Sequence, residues 1–76
     1  MTDLVDLTIH INEKISSDTR TKLQDEMRNM NGIMIASSRD KMPHFLMIGY
    51  DPKLINSEEI FHFIKDHGMQ AQIIGL

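Results

Sequence analysis

The chain predicts a two-layer α+β sandwich of element order βαββαβ. Three observations carry that prediction. Residues Leu4 to Ile11 hold a clean alternation of apolar and polar side chains, two later segments have helical spacing behind strong start signals, and short apolar runs lie between and after them. Strands alternating with helices in so short a chain leave room for one sheet with both helices on one of its faces.

The segment Leu4 to Ile11 sets Val5, Leu7, Ile9 and Ile11 on one side and Asp6, Thr8 and His10 on the other, the pattern of a half-buried strand. Asn12 to Ile15 reads as a loop. Ser16, Ser17 and Asp18 then offer side-chain oxygens to the free amides of a helix start. Leu23, Met27 and Met30 follow at the spacing of one buried stripe, and Asn31-Gly32 is expected to end that helix. Ile33 to Ala36 begins a second strand, with Met34 a further candidate for filling core gaps beside Met27 and Met30. Ser37 to Pro43 reads as the hairpin connection and Phe45 to Tyr50 as the third strand. Asn56 and Glu59 have the spacing of a capping box, and Ile55 and Ile60 that of a hydrophobic staple. Ile60, Phe63, Ile64 and His67 continue one helical face, Gly68 supplies the exit, and Met69 to Ile74 closes the chain as a fourth strand with Ala71 and Ile73 on one face. The expected antiparallel strand order is 4-1-3-2, which lets each crossover be right-handed. The face away from the helices would carry Asp6, Thr8, His10, Phe45 and Met47.

Composition narrows the function. Seventy-six residues make a single domain, 1-76. The net charge is −3 and the eight Lys and Arg are scattered among eleven acids, so neither a nucleic-acid surface nor a polybasic membrane anchor is expected. No apolar run has the length of a membrane span, and the acidic N-terminal segment does not read as a signal peptide, so cytoplasm is the expected compartment. Cysteine is absent, which removes thiol redox chemistry. A nucleophile would have to be a hydroxyl, and Ser16 or Ser17 near His10 is the one pairing available; no nucleophile elbow, phosphate loop or metalloprotease helix occurs. The chain is therefore expected not to be an enzyme.

From Tyr50 to Met69 the sequence reads YDPKLINSEEIFHFIKDHGM. With Ala71 beyond it, and with Leu23, Met27 and Gly32-Ile33 in the first half, it resembles the heavy-metal-associated domain of copper chaperones and metal-pumping P-type ATPases. The resemblance implies the ferredoxin-like fold and a metal loop before the first helix, where the family carries Cu(I) or Zn(II) on a Cys-x-x-Cys pair. Counting back from Gly32 matches the two cysteines to Ser16 and Thr19. Amino-acid-binding ACT domains share the element order and rank behind this match.

Two functions compete. One is a noncatalytic binding module that has lost thiolate metal binding and contacts a protein partner or another copy of itself, through an edge strand or the open face with His10, Phe45 and Met47. The other is a copper-like metal-binding domain that takes Cu(I) or Zn(II) on histidine and methionine. Three connections are expected at one end of the sandwich, gathering His10, Met42, His44, His67 and Met69 near Ser16. Against this second function, His67 also suits the negative end of a helix dipole, and His62 has Asp66 at the spacing of a surface pair.

Overall fold

A computed structural model describes residues 3–75; Met1, Thr2 and Leu76, which the expected domain 1-76 includes, lie outside the described residues. The elements are β1 (Val5–Ile11), α1 (Ser17–Arg28), β2 (Ile33–Arg39), β3 (Met42–Tyr50), α2 (Ser57–Asp66) and β4 (Ala71–Gly75). The strands form one antiparallel sheet in the order β2-β3-β1-β4, which is the expected order read from its other end.

The alternation in β1 puts Leu7, Ile9 and Ile11 against Leu46 and Ile48 of β3 and under Leu23 and Met27 of α1 and Ile60 and Ile64 of α2. Burying each of these side chains is worth about 1.5–3 kcal/mol, so this single layer between helices and sheet supplies most of the driving force. Helix α2 begins as its sequence dictates. The Glu59 amide donates to Asn56 Oδ1 at 2.8 Å, and Ile55 and Ile60 are both buried as the staple requires. Ahead of it, the Asp51 amide donates to the Gly32 carbonyl, and the buried Asp51 accepts the Lys53 amide at 3.0 Å.

Several boundaries differ from expectation. Helix α1 ends at Arg28, with Asn29 as its cap, so Met30 lies beyond the helix and is half-buried. Gly32 does adopt the left-handed conformation, at φ 102°, but as the hinge of a turn closed by the Ile33 amide on the Met30 carbonyl. The hairpin is much tighter than the polar stretch Ser37 to Pro43 suggested. Strand β2 runs to Arg39 and β3 starts at Met42, because pairing Arg39 with Met42 leaves only Asp40 and Lys41 as the turn. Polar side chains and a proline are tolerated there because β2 is an edge strand and Pro43 lies at the start of β3. Met34 is exposed and does not fill the core. Strand β4 starts at Ala71, so Met69 precedes it, and Ile73 is exposed although Ala71 is buried.

Part of the β2 edge is taken up by side chains of α1. Arg20, Gln24 and Arg28, one turn apart along α1, reach across it. Arg20 donates to the Arg39 carbonyl at 3.0 Å, Gln24 to Ser38 Oγ at 2.7 Å and Arg28 to the Ala36 carbonyl at 2.7 Å. Two of these contacts, from Arg20 and Arg28, occupy backbone carbonyls of the edge strand, and that from Gln24 holds a side-chain hydroxyl.

Two glycines separate conformational cost from steric cost. A Cβ on Gly32 would lie 2.8 Å from Ile55 Cγ2 and 2.9 Å from Leu54 Cβ, whereas one on Gly68, at φ 82°, meets nothing within 4 Å. Gly68→Ala is expected to lower stability by about 1 kcal/mol and Gly32→Ala by about 2–4 kcal/mol, because the latter adds overpacking to the left-handed strain. Urea denaturation of both variants checks the order.

Candidate functional site

Chain connections meet at one end of the sandwich, as the topology requires. The Asn12 amide donates to the Gln70 carbonyl at 2.8 Å, and the Gln70 amide to both Glu13 carboxylate oxygens at 2.9 Å, joining the loop before α1 to the turn after α2. The β2–β3 hairpin is drawn in by Arg20, which is 5% exposed and donates to Asp40 Oδ1 at 2.9 Å. Arg20 lies three residues before Leu23 on the same buried stripe as Met27. That spacing was the available signal for its burial; its targets on the hairpin were not legible without the register.

At the start of α1, Ser16 is the N-cap. Its hydroxyl oxygen accepts the Thr19 amide at 3.1 Å, and its O–H donates to Thr19 Oγ1 at 2.9 Å. The two hydroxyls, at the positions that the family resemblance matches to thiolates, therefore bond to each other and to the first turn of the helix. Both residues are exposed. Ser17 is the first helical residue, and neither it nor Ser16 bonds to His10 among the described residues. The serine–histidine pairing that a hydroxyl nucleophile needs is not formed.

The remaining candidates separate into two groups. On the helical side, Thr19, Lys22, Leu23 and Glu26 of α1 face His67 and Met69 across a cavity of about 270 Å³. His67 caps α2, its Nδ1 2.7 Å from the Phe63 carbonyl and its Nε2 2.6 Å from Glu26 Oε2. Both partners are acceptors, so both ring nitrogens serve best as donors, which is the protonated imidazolium. Its pKa is accordingly raised, first by the Phe63 carbonyl and then by Glu26 and Asp66, against an opposing effect of burial. Met69 is buried beside it.

At the sheet margin, the rings of His10 and His44 lie 5.5 Å apart between centroids at an interplanar angle of 22°, and Phe45 meets His10 edge-on at 5.2 Å. His44 Nδ1 is 2.8 Å from the Ile11 carbonyl. Met42 is exposed at the hairpin end of β3. Among the described residues no group of three or more His, Asp or Glu could hold a metal ion. His62 is exposed on α2, its ring 6.4 Å from that of Phe61.

The face away from the helices carries Thr8 opposite Met47 and His10 opposite Phe45, with Asp6 opposite Gly49. Sequence reasoning missed one member. Ile35 pairs with Gly49 and stands 50% exposed beside it, and together with Met47 and Thr8 it lines a depression of about 310 Å³. The absence of a side chain at Gly49 makes that depression, since a Cβ there would press on Ile35 at 3.2 Å. Ile35 was legible only as part of a strand; its face follows from an irregularity in the β2–β3 register between Ile33 and Ile35.

The raised His67 pKa means that its clasp on Glu26 favours the folded state fully below the ordinary histidine value of about 6.5 and loses that effect as pH rises through the higher folded value. His67→Gln is expected to be less stable than the unaltered chain at about pH 5 and to match it more closely at about pH 9, with the gap reduced by salt because the pair is partly exposed. Thermal melts across that range check the sign.

No family model matches the sequence, and no curated protein matches it. Solved structures do match the fold. A copper-binding domain from HMA7, a P-type ATPase, superposes with a TM-score of 0.81 at 21% identity, over 92% of this chain and 93% of that one. Oxidized MerP from Ralstonia metallidurans CH34 gives 0.82 at 8% identity, over 96% and 100%. The yeast copper transporter domain Ccc2a gives 0.78 at 14% identity, over 91% and 93%. The chain thus has the ferredoxin-like fold of heavy-metal-associated domains.

Proposed function

We propose that this chain is a noncatalytic binding module of the heavy-metal-associated fold in which a hydroxyl pair has replaced the thiolate site, and that it acts through contact with a protein surface. The observation that carries this reading is the bond between Ser16 and Thr19, together with the Thr19 amide on Ser16 Oγ. Soft ions such as Cu(I) select thiolate and thioether sulfur, and neutral hydroxyls committed to a helix cap are a poor donor set for them. Neighbouring structures include domains described as copper-binding and one described as a metallochaperone, so the scaffold itself suits metal-related traffic. This chain would keep the scaffold and its contact surfaces without the cargo.

The contact surface is the open sheet face. His10, Phe45 and Met47 lie there half-buried, beside exposed Ile35 and the hollow over Gly49. The β2 edge is less suited to the role, because α1 side chains occupy it. The occupant is a second copy of this chain or a protein presenting an apolar surface.

Two measurements test the reading. In competition with a chromogenic Cu(I) chelator, the unaltered chain is expected to release copper, while Ser16→Cys combined with Thr19→Cys holds one ion; retention of stoichiometric Cu(I) by the unaltered chain overturns the proposal. For the contact, Met47→Glu is expected to weaken association at least about tenfold in light scattering or partner capture, which corresponds to about 1.4 kcal/mol. A chain that stays monomeric at millimolar concentration and also captures no partner refutes the contact role.

A further inference from the structure

From the geometry at the sheet margin we infer that His10 and His44 form a two-imidazole site for a borderline divalent cation of the Zn²⁺ class. It lies apart from the Ser16–Thr19 loop, and through His10 it borders the open face proposed above as the contact surface.

The first support is the hydrogen bond of His44. Its Nδ1 lies 2.8 Å from the Ile11 carbonyl, which can only accept, so the proton resides on Nδ1. In the neutral ring this leaves the lone pair on Nε2. A backbone carbonyl on one ring nitrogen, with the other nitrogen directed to the metal, is the arrangement that commonly orients a ligating histidine. The bond also fixes the ring between two strands, which lowers the entropic cost of ligation.

The second support is the spacing. Two imidazoles sharing one tetrahedral ion through bonds of about 2.0–2.1 Å have ring centroids roughly 5 Å apart. The His10 and His44 centroids are 5.5 Å apart. The two ring planes are only 22° apart, so their in-plane lone pairs do not converge as the rings stand, and ligation requires the His10 ring to turn while His44 stays on the Ile11 carbonyl. The His10 ring has no hydrogen-bond partner among the described residues, so no bond is lost when it turns. Both histidines are only half-buried, so water can complete the coordination.

Donor chemistry selects the cation. Neutral imidazole suits Zn²⁺, Ni²⁺ and Cu²⁺, whereas Ca²⁺ and Mg²⁺ require several oxygen ligands that this margin does not offer. With two protein ligands the site is open, and its remaining positions are available to water or to a donor from another molecule. His67 is not a member: both of its nitrogens are engaged, by Phe63 and Glu26.

The test is a titration of the full chain with Zn²⁺ at mildly alkaline pH, where metal need not displace a proton from imidazolium, followed by NMR of the histidine side-chain resonances. His10 and His44 are expected to shift together and saturably, and Ca²⁺ to have no effect. His10→Gln and His44→Gln should each weaken Zn²⁺ affinity at least about tenfold, while His62→Gln leaves it unchanged. The backbone spectrum of His10→Gln, whose native ring makes no hydrogen bond, should stay folded and so separates loss of a ligand from loss of structure. Unmoved His10 and His44 resonances at millimolar Zn²⁺, or equal affinity in His10→Gln, overturn the proposal.

Discussion

One face of the sheet must be covered and the other is not, and this asymmetry governs the molecule. Leu7, Ile9, Ile11, Leu46 and Ile48 point to the helical side, where Leu23, Met27, Ile60 and Ile64 complete a single apolar layer. A chain of this size has no second core to draw on, so every element is placed by its share of that layer. Helix α1 cannot rotate without exposing Leu23 and Met27, and α2 is held likewise by Ile60 and Ile64. The loop before α1 and the turn after α2 are consequently set side by side, and Thr19 faces Met69 across one cavity.

The same asymmetry separates the sites. On the helical side His67 at the end of α2 reaches Glu26 of α1, and Ser16 and Thr19 close on each other within the first turn of α1. Side chains at the sheet margin and on the uncovered face have no helical layer above them. His10 and His44 rest against each other, and Ile35 stays exposed next to Gly49. The exposed and loosely packed side chains therefore gather at the sheet margin and on the uncovered face, while on the helical side His67 and Glu26 fasten one helix to the other.

Arg20 shows how a charged residue can belong to the core of such a fold. Its aliphatic stem extends the α1 stripe and its guanidinium reaches the hairpin, where Asp40 remains exposed to water. The ion pair itself is partly screened, but the bond to the Arg39 carbonyl ties the two-residue turn to the helix. With Gln24 and Arg28 it covers an edge that neighbouring molecules could otherwise extend.

The element order, the caps at Ser16 and Asn56 and the staple of Ile55 and Ile60 were legible in the sequence, because each depends on residues close together in the chain, and the strand order followed from the handedness of the crossovers. The identity of most core residues was legible too, since period-two and helical spacing directly encode which side faces inward. The tertiary structure decided what depends on distant partners. It shortened the hairpin to Asp40 and Lys41, because pairing with β3 outweighs the turn preference of a polar stretch. It exposed Met34 and brought Ile35 onto the open face, because an irregular register shifts which side chains face out. It also divided the histidines between a helix clasp and a sheet-margin pair, since only the crossing of strands and helices determines which imidazole finds a carboxylate and which finds another imidazole.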